Sequence, residues 1–207
     1  YAPLLLGCTT VLYEGKPVGT PDAGQFWRVI SEHNVSTMFT APTAIRAIKK
    51  IDPRGSEIKK YNFKNFKYLF LAGERADPET IKWSIDHLKI PVIDHWWQTE
   101  TGWSIAGNFP EFGIFDIKYG STGKAAPGYQ VEVLDDNGNN LEPEKMGNLV
   151  IKMPLPPGCS SSIWNDSERF FKAYLEKYKG YYNTSDAGVI DSEGYISGMS
   201  RTDDIIN

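Results

Sequence analysis

The chain has 207 residues, 41% hydrophobic and 23% charged, which is enough apolar content for a packed core and too much for disorder throughout. Lys and Arg number 22 against 26 Asp and Glu, a net charge of −4, so the basic excess of a nucleic-acid grip is missing. No run approaches the ~18–20 apolar residues of a membrane span, and two cysteines, Cys8 and Cys159, make no disulfide framework. An intracellular, reducing home is expected, cytoplasmic, with the mitochondrial matrix as the alternative. The first residue is Tyr1 and the last is Asn207, with no terminator pattern, so the chain reads as a piece of a longer protein.

In chain order, VLY (11–13), TMF (37–39), KYLFLAG (67–73) and PVID (91–94) read as short buried strands bounded by Gly, Pro or polar residues. Thr20-Pro21 predicts a helix start, with Phe26, Val29, Ile30 and His33 at helical spacing. Asp77-Pro78 predicts a second start, with Ile81, Ile85 and Leu88 on one face. Strand and helix alternate without a hairpin signal, which points to a parallel sheet flanked by helices. The texture then changes. Residues 1–110 carry 13 basic and 11 acidic side chains, and residues 111–207 carry 9 and 15. VEVL (131–134) returns through Asn137-Gly138 to NLVIK (148–152), and GVI (188–190) returns through Asp-Ser-Glu-Gly to YISGM (195–199). A Pro-rich loop at 154–158 and a helix near 167–178 lie between them. The expected fold is α/β: a parallel sheet flanked by helices over 1–118, then a small β-rich, distorted-barrel subdomain over 119–200.

Ligands of open parallel sheets collect beyond the carboxyl ends of the strands. Two segments meet that condition: Gly73-Glu74-Arg75 after the third strand, and His95-Trp96-Trp97-Gln98-Thr99-Glu100-Thr101-Gly102 after the fourth. Trp offers a flat face, a hydroxyl can bond a phosphate oxygen, and a carboxylate can hold Mg²⁺. The same residues would equally suit an aromatic loop packed on a core. Asp186, in Asn-Thr-Ser-Asp-Ala-Gly, could accept from a ribose diol or could close a turn; Arg201 could bind ribose or phosphate or pair with the neighbouring Asp203 and Asp204.

Other signals fail. Gly120-Ser121-Thr122-Gly123-Lys124 lacks the leading Gly and trailing Ser/Thr of a phosphate loop, because Lys118 and Ala125 stand there. Asp135 to Gly138 has too few ligands for an EF-hand, the three histidines lack metal-ligand spacing, and Gly-x-Ser-x-Gly is absent.

Six ordered segments resemble the adenylate-forming acyl-CoA synthetases, and among them the short-chain acetyl- and propionyl-CoA synthetases. They are TAPTAIRA (40–47), LAGER (71–75), DHWWQTETG (94–102), GSTGKAAPGY (120–129), Tyr182 to Gly188, and SRTDDIIN (200–207). The resemblance implies a two-step reaction: a carboxylate attacks the α-phosphate of ATP, releasing pyrophosphate, and the thiol of coenzyme A then displaces AMP. It implies that Gly73, Glu74 and Arg75 line one face of adenine and that Asp94, His95 and Trp96, with Gln98 beside them, line the other side. Thr99 would bond the α-phosphate, Glu100 would hold Mg²⁺, and Asp186 and Arg201 would grip the ribose. Trp97 would floor the acyl pocket beside Ala72. Asp203 would lie at the hinge, 201–207, to a C-terminal domain.

Ala72, where acetate-specific relatives are expected to carry valine, favours propionate. Arg75 replaces a proline common in acetate enzymes. The family's phosphate loop and its C-terminal lysine are expected outside this chain, which alone should lack turnover. Expected partners are therefore small molecules (ATP, a short carboxylate, coenzyme A). Rival readings are an adenylating enzyme for another acid and a non-catalytic nucleotide-binding module.

Overall fold

The computed structural model describes residues 2–113 and 116–202. The chain divides into two compact units, one made of Tyr1–Leu71 and Asp77–Val92, the other of Ala72–Ala76 and Ile93–Asn207.

In the first unit a single turn, α1 (Ala2–Leu5), precedes an irregular stretch. The strand expected at 11–13 does not form, and Leu12 is exposed. Local hydrogen bonds take its place: the Tyr13 hydroxyl and the Thr20 hydroxyl both donate to the Lys16 carbonyl, at 3.0 and 2.8 Å. The helix expected to begin at Pro21 begins later, as α2 (Gln25–Glu32). Asp22 Oδ1 accepts from the Gly24 amide at 2.8 Å, so residues 21–24 are used in a turn. The buried face of α2 is accordingly Phe26, Trp27 and Ile30, while His33 caps the end and lies exposed.

Strand β1 (Thr37–Thr40) leads to α3 (Pro42–Ile51), a helix not anticipated from the sequence. Pro42 occupies its first turn, where no amide partner is missed, Ile45 and Ile48 are fully buried, and Lys49 and Lys50 face the negative end of its dipole. Strand β2 (Tyr68–Leu71) pairs parallel with β1, Thr37 opposite Tyr68 through Thr40 opposite Leu71.

Helix α4 (Pro78–Leu88) begins where expected. Asp77 caps it, with Oδ1 accepting from the Thr80 amide and Oδ2 from the Thr80 hydroxyl, both at 2.8 Å. The Arg46 guanidinium adds a donor to Oδ2 at 3.3 Å. Leu69 donates to the Pro91 carbonyl just before β3 (Val92–Asp94), the third strand in this sheet's order.

The second unit is β-rich. Strands β4 (Trp96–Trp97), β5 (Ser104–Gly107) and β6 (Lys124–Ala125) form an antiparallel sheet in the stretch where no hairpin signal was read. Strands β7 (Val131–Leu134), β8 (Gly147–Lys152), β9 (Tyr181–Ile190) and β10 (Ile196–Arg201) form a second antiparallel sheet, ordered β10-β9-β8-β7. Both expected returns, 131–152 and 188–199, are therefore present. Ile196 exchanges two 2.8 Å hydrogen bonds with Thr122 and Gly123, which run directly into β6, so the sheets are stitched edge to edge and curl. At that seam Gly123 has φ +88° and its missing Cβ would strike the Gly107 carbonyl.

Ile105, Ala126, Tyr129, Ile151 and Tyr182 form one core cluster; Ala106, Val133, Leu149 and Ile196 form another. Helix α5 (Ser167–Tyr174) is capped by Asp166, whose Oδ1 accepts from the Arg169 amide at 3.0 Å. It ends earlier than expected, because Leu175 leaves helical geometry.

Removing the α4 cap isolates one local contribution. Asp77→Ala should cost about 1 kcal/mol, read as a lower urea midpoint with unchanged slope; an unchanged midpoint would show that the cap contributes nothing.

Candidate nucleotide site

Every residue singled out as a site candidate falls in the second unit except Asp203, which lies outside the described residues. The segment from 94 to 102 leaves β3, crosses β4 and tightens into a 3-10 turn at Thr99–Thr101. Gln98 and Thr101 brace that turn: the Gln98 amide donates to the Thr101 hydroxyl at 3.1 Å, and the Thr101 amide donates to the Gln98 carbonyl at 3.1 Å. Gly102 ends the turn at φ +64°, and a Cβ there would sit 3.0 Å from the Gly158 carbonyl. The Ser160 amide donates to the Glu100 carbonyl at 2.6 Å. The Pro-rich loop and the 3-10 turn thus hold each other through backbone.

Asp186 comes from β9, where the register slips. Leu149 pairs with Asp186 and Val150 with Asn183, so Thr184 and Ser185 are extra residues on β9, and Ser185 sits at φ +57°. Such a bulge bends a strand and re-aims the side chain beside it. Thr184 stabilises it, its hydroxyl donating to the Leu149 carbonyl at 2.7 Å and accepting from the Asp186 amide at 3.1 Å. The β9–β10 register places Arg201 opposite Asp186.

Asp186 Oδ2 accepts two hydrogen bonds from the 94–102 segment, from Trp96 Nε1 at 2.9 Å and from Gln98 Nε2 at 2.8 Å. Gln98 Nε2 also donates to the Thr184 carbonyl at 2.7 Å, and its Oε1 accepts from the Tyr182 hydroxyl at 3.1 Å. Both ends of the Gln98 amide are thereby assigned, the nitrogen toward two acceptors and the oxygen toward a donor. Residues 88 and 90 positions apart meet on one carboxylate oxygen.

Glu100 is half-buried, and its Oε1 accepts from the Tyr174 hydroxyl at 2.7 Å. Burial and the adjoining carboxylate both push the Tyr174 phenol up from its ordinary value. Thr99 is exposed and Trp97 is 40% exposed. Gly73, Glu74 and Arg75 are exposed on the stretch that ends at buried Ala72 and Ala76, and Gly73 has φ +98° with open space where a side chain would stand. Tyr174, Tyr182 and Thr184 were not read as site residues. Tyr182 and Thr184 lie in the Tyr182–Gly188 segment that carries the family resemblance, which singles out only Asp186, and Tyr174 has no local sequence cue.

Asp94 is 6% exposed. Its Oδ2 accepts from the Ala76 amide at 3.3 Å, and its Oδ1 has no hydrogen-bond partner among the described residues. Desolvation pushes its carboxyl from the ordinary 3.8 up to about 7, against the opposing pull of the Ala76 and His95 amides and the Arg75 charge.

Residues 1–157 match the model of the AMP-binding enzyme family. The chain belongs to that family. It is 54% identical to an acyl-CoA synthetase short-chain family member 3, mitochondrial, of Mus musculus over all of this chain and 30% of that protein. It is likewise 54% identical to an uncharacterized protein of Pseudomonas aeruginosa, over all of this chain and 33% of that protein. Identity to the propionate–CoA ligase of Escherichia coli K12 is 42%, again over the whole chain and 33% of the relative. The chain thus spans about a third of the length of these relatives.

An AMP-binding enzyme handles ATP or AMP. Among the described residues no group of three or more His, Cys, Asp or Glu could hold a metal by itself. Glu100 offers a single carboxylate, which suits Mg²⁺ completed by water and substrate phosphates rather than by a protein cage. No described helix is long and apolar enough to cross a membrane.

Asp94 gives this family member a pH signature. Between about pH 4 and pH 7 the folded chain holds a proton on Asp94 that the unfolded chain has released, so this group's contribution to stability falls as pH rises through that window. In the full-length protein, Asp94→Asn should melt increasingly above the wild type between pH 4 and pH 8. A constant difference across the range would place the buried carboxyl at an ordinary value.

Proposed function

We propose that this chain is the central part of the adenylation domain of a short-chain, AMP-forming acyl-CoA synthetase, with propionate preferred over acetate. The observation that carries the reading is the meeting of the Trp96–Glu100 segment with Asp186 through Trp96 Nε1 and Gln98 Nε2. It joins two proposed adenine-side residues and the proposed ribose-side residue in one hydrogen-bonded group, on the segment that also carries Thr99 and Glu100. The relatives named as short-chain synthetase and propionate–CoA ligase support the same class. Residues 1–118 would form an α/β subdomain, 119–200 the β-rich subdomain, and 201–207, with Asp203, the hinge to a further domain. The localisation consistent with this reading is intracellular, cytoplasmic with the mitochondrial matrix as the alternative; the mouse relative's name says mitochondrial.

In this reading the carboxylate substrate attacks the α-phosphate of ATP and pyrophosphate leaves; the acyl-adenylate then yields acyl-CoA and AMP. The protein contributes positioning and charge stabilisation, with no covalent enzyme intermediate. Gly73, Glu74 and Arg75 lie along one face of adenine, with Asp94, His95, Trp96 and Gln98 at its other side. The exposed Thr99 hydroxyl donates to the α-phosphate. Glu100 would hold Mg²⁺, which would supply positive charge to offset that of the phosphates. Asp186 accepts from the ribose hydroxyls with Arg201 opposite it in register. Contacts to coenzyme A are assigned mostly to the rest of the protein.

Trp97 is the proposed floor of the acyl pocket. Each extra buried methylene is worth only ~0.8 kcal/mol, so chain-length selection must come from collision with the indole. Ala72, small and 4% exposed, leaves the room that favours propionate.

ATP–pyrophosphate exchange by the full-length protein, compared by kcat/KM, tests the reading: propionate should exceed acetate. Acetate ahead would keep the chemistry and remove the Ala72 argument. No exchange with either would move the assignment to another acid or to a non-catalytic nucleotide-binding module. Trp97→Gly should admit acids of four or more carbons at about 10-fold or more higher kcat/KM than wild type. An unchanged chain-length profile would take Trp97 out of the pocket.

A further inference from the structure

We propose that the Tyr174 hydroxyl is a positioning group for Glu100, and that the stacked Tyr174–Tyr182 pair ties Glu100 to the Gln98–Asp186 hydrogen bond, making the metal-facing and ribose-facing carboxylates one mechanical unit. The inference rests on the proposed roles of Glu100 and Asp186 and adds residues to them.

A glutamate has three side-chain torsions, the last of them broad and roughly two-fold. Glu100 stands on a single 3-10 turn, so its backbone alone leaves the carboxylate free to swing. The Tyr174 hydroxyl has one proton, and its 2.7 Å bond directs that proton to Glu100 Oε1. Oε2 lies outside this bond and keeps its lone pairs for another partner. A donor that fixes one oxygen while leaving the other is the arrangement by which an outer residue orients a metal-ligating carboxylate.

Tyr174 can serve only if its own ring is fixed. It is the last residue of α5, and its ring lies 5.1 Å from Phe170 and stacks on Tyr182 at 5.2 Å with an interplanar angle of 11°. Tyr182 is fully buried in β9 and donates to Gln98 Oε1 at 3.1 Å. Gln98 in turn donates to Asp186 Oδ2 at 2.8 Å. The order of contacts is therefore Glu100, Tyr174, Tyr182, Gln98, Asp186. Each link is a hydrogen bond except the central stack, which transmits position by close packing.

A purely structural tyrosine would pin α5 to the 3-10 turn and do nothing to metal or nucleotide. Full-length Tyr174→Phe separates the two roles, because it removes one oxygen and keeps the ring stack. The free Mg²⁺ giving half-maximal ATP–pyrophosphate exchange should rise about 10-fold. By calorimetry, Mg²⁺-dependent ATP binding should weaken by a similar factor, while AMP binding without metal stays within about twofold of wild type. Glu100→Gln is the companion variant and should shift the same Mg²⁺ requirement.

An unchanged Mg²⁺ requirement in Tyr174→Phe, beside a shifted one in Glu100→Gln, overturns the positioning role and leaves Glu100 as the metal-facing residue. No shift in either variant overturns the assignment of Glu100 itself. A Tyr174→Phe protein that loses its cooperative melt, or loses metal-free AMP binding to the same degree, makes the hydroxyl structural and overturns the proposal.

Discussion

The second unit depends on one carboxylate oxygen. Asp186 Oδ2 accepts from both Trp96 and Gln98, and a carboxylate in that position needs such donors, because partial burial without them would be costly. The bond can form only because β9 carries extra residues at Thr184 and Ser185, which turn Asp186 out of the regular ladder. The Thr184 hydroxyl then repairs the broken ladder by bonding the Leu149 carbonyl and the Asp186 amide. A bulge that locally sacrifices pairing is thereby what joins the two halves of the proposed site.

The elements that were legible are those whose signal is local. Asp77-Pro78 announces α4 because a cap and a proline act within one turn, and Asp-Ser-Glu-Gly announces the β9–β10 return because Asp191 closes it locally, its Oδ1 accepting from the Glu193 and Tyr195 amides, both at 2.9 Å. Val11–Tyr13 had strand composition, yet Tyr13, Lys16 and Thr20 satisfy one another first. Pro21 resembled a helix start until Asp22 took the following amide. Strand β6 is two residues long and exists through its pairing with β5; no composition rule identifies a strand that depends entirely on a neighbour.

Residue types in the candidate site were visible, but their pairing was not. DHWWQTETG and NTSDAG stand out as segments, whereas the choice of Trp96 and Gln98, rather than Trp97 and Thr99, as the partners of Asp186 depends on strand geometry. The tyrosines Tyr174 and Tyr182 were hidden for the opposite reason. An aromatic packed on a core needs no functional role, and only the hydroxyl geometry, 2.7 Å to Glu100 and 3.1 Å to Gln98, distinguishes these two.

That geometry explains how so short a segment can be both scaffold and site. Side chains alternate along extended residues such as Trp96 to Gln98, and the 3-10 turn at Thr99–Thr101 carries the division of roles onward. From Trp96 onward the alternation is visible in the partners: Trp96 and Gln98 bond Asp186, and Glu100 bonds Tyr174, whereas Trp97 and Thr99 are exposed. The committed residues hold the backbone still. The uncommitted ones, which the proposed reading assigns to the acyl group and the α-phosphate, are thereby presented to solvent from a fixed frame without being anchored themselves. A substrate-facing residue must remain open to a partner that arrives and leaves, while its position must not drift; dividing the two demands between neighbouring residues of one short segment meets both.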